Sequence, residues 1–160
     1  MSINFFKQPT GNTCGPTCLK MAQSTILGLT DSNFPTIDEI AIICGTDWFV
    51  GTPPDRMKKG MEALKMVYTE HIGSRYPFLL LNSVINDGNI AIIRTISTGV
   101  PHWIIPVSYV DNIYNINDPW LGRIQYSIEE LKVIWGIRDY QFFEIKNNGD
   151  KNRGSNRKKS

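Results

Sequence analysis

The strongest constraint on the fold is a change of character at Ile90. Before it, helix start and stop signals punctuate stretches of apolar residues. After it, β-branched and aromatic residues run in short stretches broken by turn residues. Thr13 stands before Cys14-Gly15-Pro16, and a cap residue followed by an early proline predicts a helix that runs to about Gly28. Thr36-Ile37-Asp38-Glu39 has the spacing of a capping box and predicts a short helix to Cys44. Thr52-Pro53-Pro54-Asp55 opens a third helix to about Leu64. Lys65 to His71 suits a short strand, and Tyr76 to Asn86 a helix feeding the Asp87-Gly88-Asn89 turn. Strands then follow over Ile90–Ile96, Trp103–Val110, Ile113–Asn117 and Arg123–Tyr126. A second capping box, Ser127 to Glu130, starts a helix to Trp135, and Tyr140–Ile145 closes as a strand. Helices first and an antiparallel meander afterwards give an α+β domain, its N-terminal helical part packed on a C-terminal antiparallel sheet.

The 160 residues are enough for one domain with a sizeable core. That domain is expected over residues 1–146. Residues 147–160 form a basic tail without apolar side chains, expected to be disordered. Lys146 to Ser160 holds six basic residues and one acid, so the net charge of +2 conceals a negative body. The body has no basic stripe interleaved with aromatics, and nucleic-acid binding is not expected outside the tail. No apolar run reaches the ~18 residues of a membrane span, and Met1 to Lys7 lacks the pattern of a secretory leader. Cys14, Cys18 and Cys44 are too few and odd in number for a disulfide framework. Reduced thiols in a cytoplasmic protein are expected. The cysteines lack the paired Cys-x-x-Cys spacing of a zinc site, so neither metal nor cofactor is expected.

Catalysis by a thiol needs negative charge favoured on sulfur, a base within reach, a group that orients the base, and donors for an oxyanion. Cys14 lies in the first turn of a predicted helix, where free N–H groups and the macrodipole favour negative charge. Gly11 and Gly15 leave room for a substrate backbone. The candidate bases are His71 and His102. His102 begins a strand, and Asp118 ends the next one. A turn at Asp111-Asn112 brings these far ends side by side, so Asp118 can hold one ring nitrogen while the other faces the thiol. His71 has no comparable acidic partner at a strand end. Gln8, at the mouth of the loop, can offer an amide N–H to the oxyanion together with the Cys14 backbone. Cys18 and Cys44 read as core thiols, and Trp103 and Trp120 as core or shielding residues. The segment from Cys44 to Thr52, with two aromatics in a loop-like composition, suits the wall of a substrate groove.

The run from Gln8 to Met21, QPTGNTCGPTCLKM, resembles the nucleophile motif of the double-glycine leader peptidases, the papain-like domains attached to bacteriocin exporters. His102-Trp103-Ile104-Ile105-Pro106-Val107 and Asn117-Asp118-Pro119-Trp120-Leu121-Gly122 are similar to that family's histidine strand and Asp-Pro turn. Thr13 stands where the family often has Asp. The resemblance spans roughly Ile3 to Ile145 and implies a papain-like cysteine proteinase fold. It also implies Cys14 as nucleophile, His102 as base, Asp118 as orienter and Gln8 as oxyanion donor, acting on a peptide or protein substrate. Two alternatives stay open on the sequence. The same thioester could serve an acyltransferase or glutamine amidase, and the scaffold could serve as a non-catalytic peptide-binding module. Nothing in the sequence sets an oligomeric state.

Overall fold

The computed structural model describes residues 2–28, 35–97 and 99–147. Most of the basic tail therefore lies outside the described residues. Asn147 does not: it is buried, and its N–H donates to Asn89 Oδ1 at 3.2 Å. In chain order the elements are α1 (Cys14–Leu27), α2 (Ile37–Cys44), α3 (Pro54–Ala63), β1 (Tyr68–His71), α4 (Pro77–Asn86), β2 (Ile90–Ser97), β3 (Val100–Val110), β4 (Ile113–Asp118), β5 (Gly122–Ser127), α5 (Ile128–Gly136) and β6 (Phe142–Ile145).

Local signals account for most helix ends. Both capping boxes form, with Thr36 Oγ1 accepting from Glu39 N and Ser127 Oγ accepting from Glu130 N, each at 3.1 Å. Gly28 and Gly45 end α1 and α2 in the left-handed conformation, at φ 67° and 69°. The expected Thr13 cap does not form. Thr13 Oγ1 turns back and donates to Thr10 O at 3.0 Å, so its hydroxyl braces the preceding loop and leaves the first helical N–H groups uncapped by it.

The sheet is antiparallel throughout, in the order β1-β6-β2-β3-β4-β5. This differs from a simple meander. β6 inserts between β1 and β2, because its short apolar run pairs with both and closes the gap between early and late chain. The layering differs too. Helices α1, α2 and α3 cover one face, burying Ile90, Ile92, Trp103, Ile105 and Phe143. Helices α4 and α5 cover the other, against Ala91, Ile93, Ile104 and Phe142. Alternate residues of β2 thus enter different cores, which explains the unbroken apolar run from Ile90 to Ile93. At Gly60 a Cβ would fall on the Cys44 sulfur and Leu19 Cδ1, so this glycine sets how closely α1, α2 and α3 approach. Among the described residues no helix is long and apolar enough to cross a membrane.

Candidate active site

Cys14 is the first residue of α1, with its side chain at the floor of a cleft and the residue 7% exposed. The loop before it is fastened at both ends. Gln8 N–H donates to Pro119 O at 2.8 Å, joining the loop to the turn after β4. Asn12 Nδ2 donates to Asp47 O at 3.2 Å, joining it to the hairpin between α2 and α3. Gly11 has open space beside it. The room at Gly15 is already taken, since a Cβ there would meet Met57 Sδ at 2.8 Å and Thr52 Cβ at 2.9 Å. Gly15 is therefore required by the protein's own packing and not by an approaching substrate.

His102 and Asp118 meet through the β3–β4 hairpin. Its turn, Asp111-Asn112, takes positive φ at both residues (51° and 63°), as a two-residue hairpin requires. From Val110↔Ile113 to Ser108↔Asn115 the register is regular. A bulge follows, and the ladder resumes at Pro106↔Ile116 and Ile105↔Asn117. That one-residue shift matters for the site. Continued beyond Asn117, the shifted register sets Asp118 opposite Ile104, on the side of the ladder that His102 shares. Without the bulge, side-chain alternation would put Asp118 with Trp103 and turn it from His102. In the folded chain His102 Nε2 lies 2.7 Å from Asp118 Oδ1. His102 also makes hydrogen-bonding contact with the Cys14 thiol, and with Nε2 engaged by Asp118 the ring nitrogen left for sulfur is Nδ1.

Burial opposes a charge on His102. The hydrogen bond to Asp118 and the contact with Cys14 outweigh it, holding the imidazole up at about 9. Asp118 is fully buried, which disfavours its charge. Its bonds from His102 and from the Leu121 and Trp120 N–H groups prevail and hold the carboxyl below its ordinary range. The other two thiols differ from Cys14 in burial. Cys18 is sealed under the sheet against Trp103 O, and burial, then the charges of Cys14 and Asp118, push it well up. Burial moves Cys44 to about 11, opposed by Lys59.

The cleft encloses about 590 Å³ between the Trp48–Pro53 hairpin and the strand pair at Val100–Trp103, with Cys14 and His102 within it. Of the Cys44–Thr52 segment, Trp48 to Thr52 line this groove, while Cys44 is buried in the core. Trp48 and Phe49 project from the segment, Phe49 at 94% exposed, and Asp47 Oδ1 accepts from the Phe49 and Val50 N–H groups to shape the tip. Trp103 is buried, and its Nε1–H donates to Thr52 O at 2.8 Å, tying the hairpin to the sheet. Trp120 is half-exposed beside Asp118. It borders a second, smaller hollow of about 260 Å³ on the far side of His102, together with Gln8 and Asp118. Gln8 Nε2 donates to Thr10 O at 2.5 Å, and its buried Oε1 has no hydrogen-bond partner among the described residues.

Two features escaped the sequence reading. His71 does have an acidic partner: its Nε2 lies 3.0 Å from Glu144 Oε1, through pairing of β1 with β6 that brings together distant parts of the chain. Arg94 also lines the cleft. Its signal was available as the one charged residue inside the apolar run of β2.

No family model and no curated protein matches this sequence. Solved structures do match. The peptidase domain of Streptococcus ComA, a bi-functional ABC transporter involved in quorum sensing, is 15% identical at a TM-score of 0.71, over 90% of this chain and 98% of that one. The chain has the fold of these peptidase domains. A double glycine motif protease from an AMS/PCAT transporter, solved in complex with the leader peptide, is 15% identical at TM-score 0.65, over 91% and 93% of the two chains. The peptidase domain of Streptococcus mutans ComA is 14% identical at 0.61, over 89% and 98%. The papain-like α+β architecture that the sequence motifs imply is thus present from the N-terminal loop to β6.

Proposed function

We propose that this protein is a papain-like cysteine peptidase in which Cys14, His102 and Asp118 act in sequence on a peptide bond. The observation that carries the reading is His102 held between the Cys14 thiol and the buried Asp118 carboxylate on the wall of an open cleft. The Cys14 proton passes to His102 Nδ1, and the sulfur attacks the peptide carbonyl carbon. The carbonyl oxygen takes up negative charge beside the Cys14 backbone N–H, which as the first in its helix has no intrahelical acceptor. Gln8 supplies a second donor through the amide hydrogen that Thr10 O does not hold. Collapse of the tetrahedral adduct breaks the C–N bond, and His102 returns its proton to the leaving amine. A thioester on Cys14 remains. Water then attacks it, giving its proton to His102, and the acid product leaves with the thiol restored. Asp118 fixes the ring with Nε2 inward and stabilises the imidazolium formed in each half-reaction.

A peptide as substrate is further supported by the transporter protease of the same fold, whose structure holds a leader peptide. The test is alkylation by iodoacetamide, with the modified cysteine located by mass spectrometry. Cys14 is expected to react well before the sealed Cys18 and Cys44, and to lose that advantage in His102→Ala. Equal and slow alkylation of all three thiols would overturn the reading.

A further inference from the structure

Arg94 sits in a setting that its structural bonds do not account for. It occupies the middle of β2, a central strand whose neighbours in sequence are Ile92, Ile93, Thr95 and Ile96. A guanidinium on such a strand loses water, and that loss is offset only where an anion or several acceptors replace it. Here the replacement is slight. Arg94 Nη1 donates to Gln141 Oε1 at 3.0 Å. The Gln141 amide nitrogen is already committed to Glu70 Oε2 at 2.8 Å, and Glu70 is in turn paired with Lys58 at 2.8 Å. Among the described residues no carboxylate forms an ion pair with Arg94. The charged group that most influences it is another cation, Arg138.

The cleft sharpens the imbalance. Among the described residues its lining holds no Asp, Glu or Lys, and besides His102 its single ionisable cation is Arg94. Arg94 pairs in register with Trp103, whose indole ties the hairpin to the sheet, and both line the cleft that also holds Cys14 and His102. Gln141 fixes one nitrogen of the fork and leaves the others for a ligand.

Resting on the peptidase reading, we infer that Arg94 selects the substrate: it receives a carboxylate of the bound peptide on the hairpin side of Cys14, from an acidic side chain or a chain terminus. A planar guanidinium and a carboxylate match in charge and geometry, and the pairing is charge-assisted on both sides.

The test uses acetylated tetrapeptide vinyl sulfones, to which a thiolate adds covalently, with Glu or its isostere Gln placed in turn at each residue. Labelling rates at Cys14 are read by mass spectrometry. In the wild-type protein Glu at one position is expected to label roughly tenfold faster than Gln, the size of one charge-assisted bond. Arg94→Gln should erase that ratio, chiefly by slowing the Glu probe, and Arg94→Lys should keep part of it. A terminal carboxylate as the source would instead show as free-acid tetrapeptides protecting Cys14 better than their amides. Equal Glu and Gln rates at every position, with acid and amide competing equally while Cys14 labels, would overturn the inference and leave the peptidase reading standing. Failure of every probe and of iodoacetamide to label Cys14 would remove that reading, and the inference with it. The wild-type ratios decide the matter even if an Arg94 variant misfolds.

Discussion

The molecule contains two histidine–carboxylate pairs. His102 meets Asp118 at 2.7 Å, and His71 meets Glu144 at 3.0 Å, each through Nε2. Both pairs bridge antiparallel strands, yet their surroundings part. The His102 and Asp118 side chains are 10% and 0% exposed, and the second ring nitrogen is left for a thiol at the head of a helix. The His71 ring stacks on Phe142 at 4.7 Å, and Glu144 is shared with Asn89 Nδ2 at 2.9 Å. No cysteine stands near it on β1 or β6. A histidine–acid pair is therefore a common way to satisfy two polar groups across strands. What suits one of them to the proposed chemistry is a thiol on the second nitrogen and a cleft over it.

Breaking each pair in turn tests that contrast. His102→Ala should lower peptide turnover by about 10³-fold or more, whereas His71→Ala should leave it within about twofold. Steady-state kinetics on one peptide substrate checks both. Asp118→Asn should cost roughly 10²-fold, because a neutral acceptor no longer supports the imidazolium, while Glu144→Gln should leave turnover unchanged. The pH response should separate them as well. Turnover is expected to fall as pH rises through about 9, where His102 gives up its proton. Proton resonances of His102 should titrate there in the wild type and move back towards ~6.5 in Asp118→Asn. Because the folded imidazole binds its proton more tightly than the unfolded one, this group adds stability that is fully present below ~6.5. That contribution is lost as pH climbs through about 9. The smallest effect belongs to the partly exposed pair: His71→Ala should lower unfolding stability by up to ~1 kcal/mol in denaturant titration.

The contrast also explains what the sequence could disclose. The two capping boxes and the hairpin turn are written in adjacent residues, so Thr36, Ser127 and Asp111-Asn112 could be read directly. His102 and Asp118 were legible because one hairpin joins them. The bulge that sets them on a common side was marked only by Pro106, whose missing N–H suits a break in the ladder but does not say which way the register slips. His71 and Glu144 stand 73 residues apart and meet through β6 entering beside β1, a pairing that local patterns do not encode. The Thr13 hydroxyl misled for a related reason. Its type suits a cap, but its oxygen accepts from the Thr10 N–H within the loop instead. Arg94 passed as part of an apolar run, because the meaning of a lone charge in a strand depends on which face opens to the cleft.

The bond from Gln8 N–H to Pro119 O has a consequence for the birth of the protein. The loop bearing Cys14 is made before the sheet. Of the six described strands, His102 comes within the third, and Asp118 and Pro119 come only at the end of the fourth. On the proposed chemistry, the thiol therefore stays unarmed until the β3–β4 hairpin closes. Under that proposal, attack on peptide bonds, its own included, is reserved for a chain in which β3 and β4 have already paired.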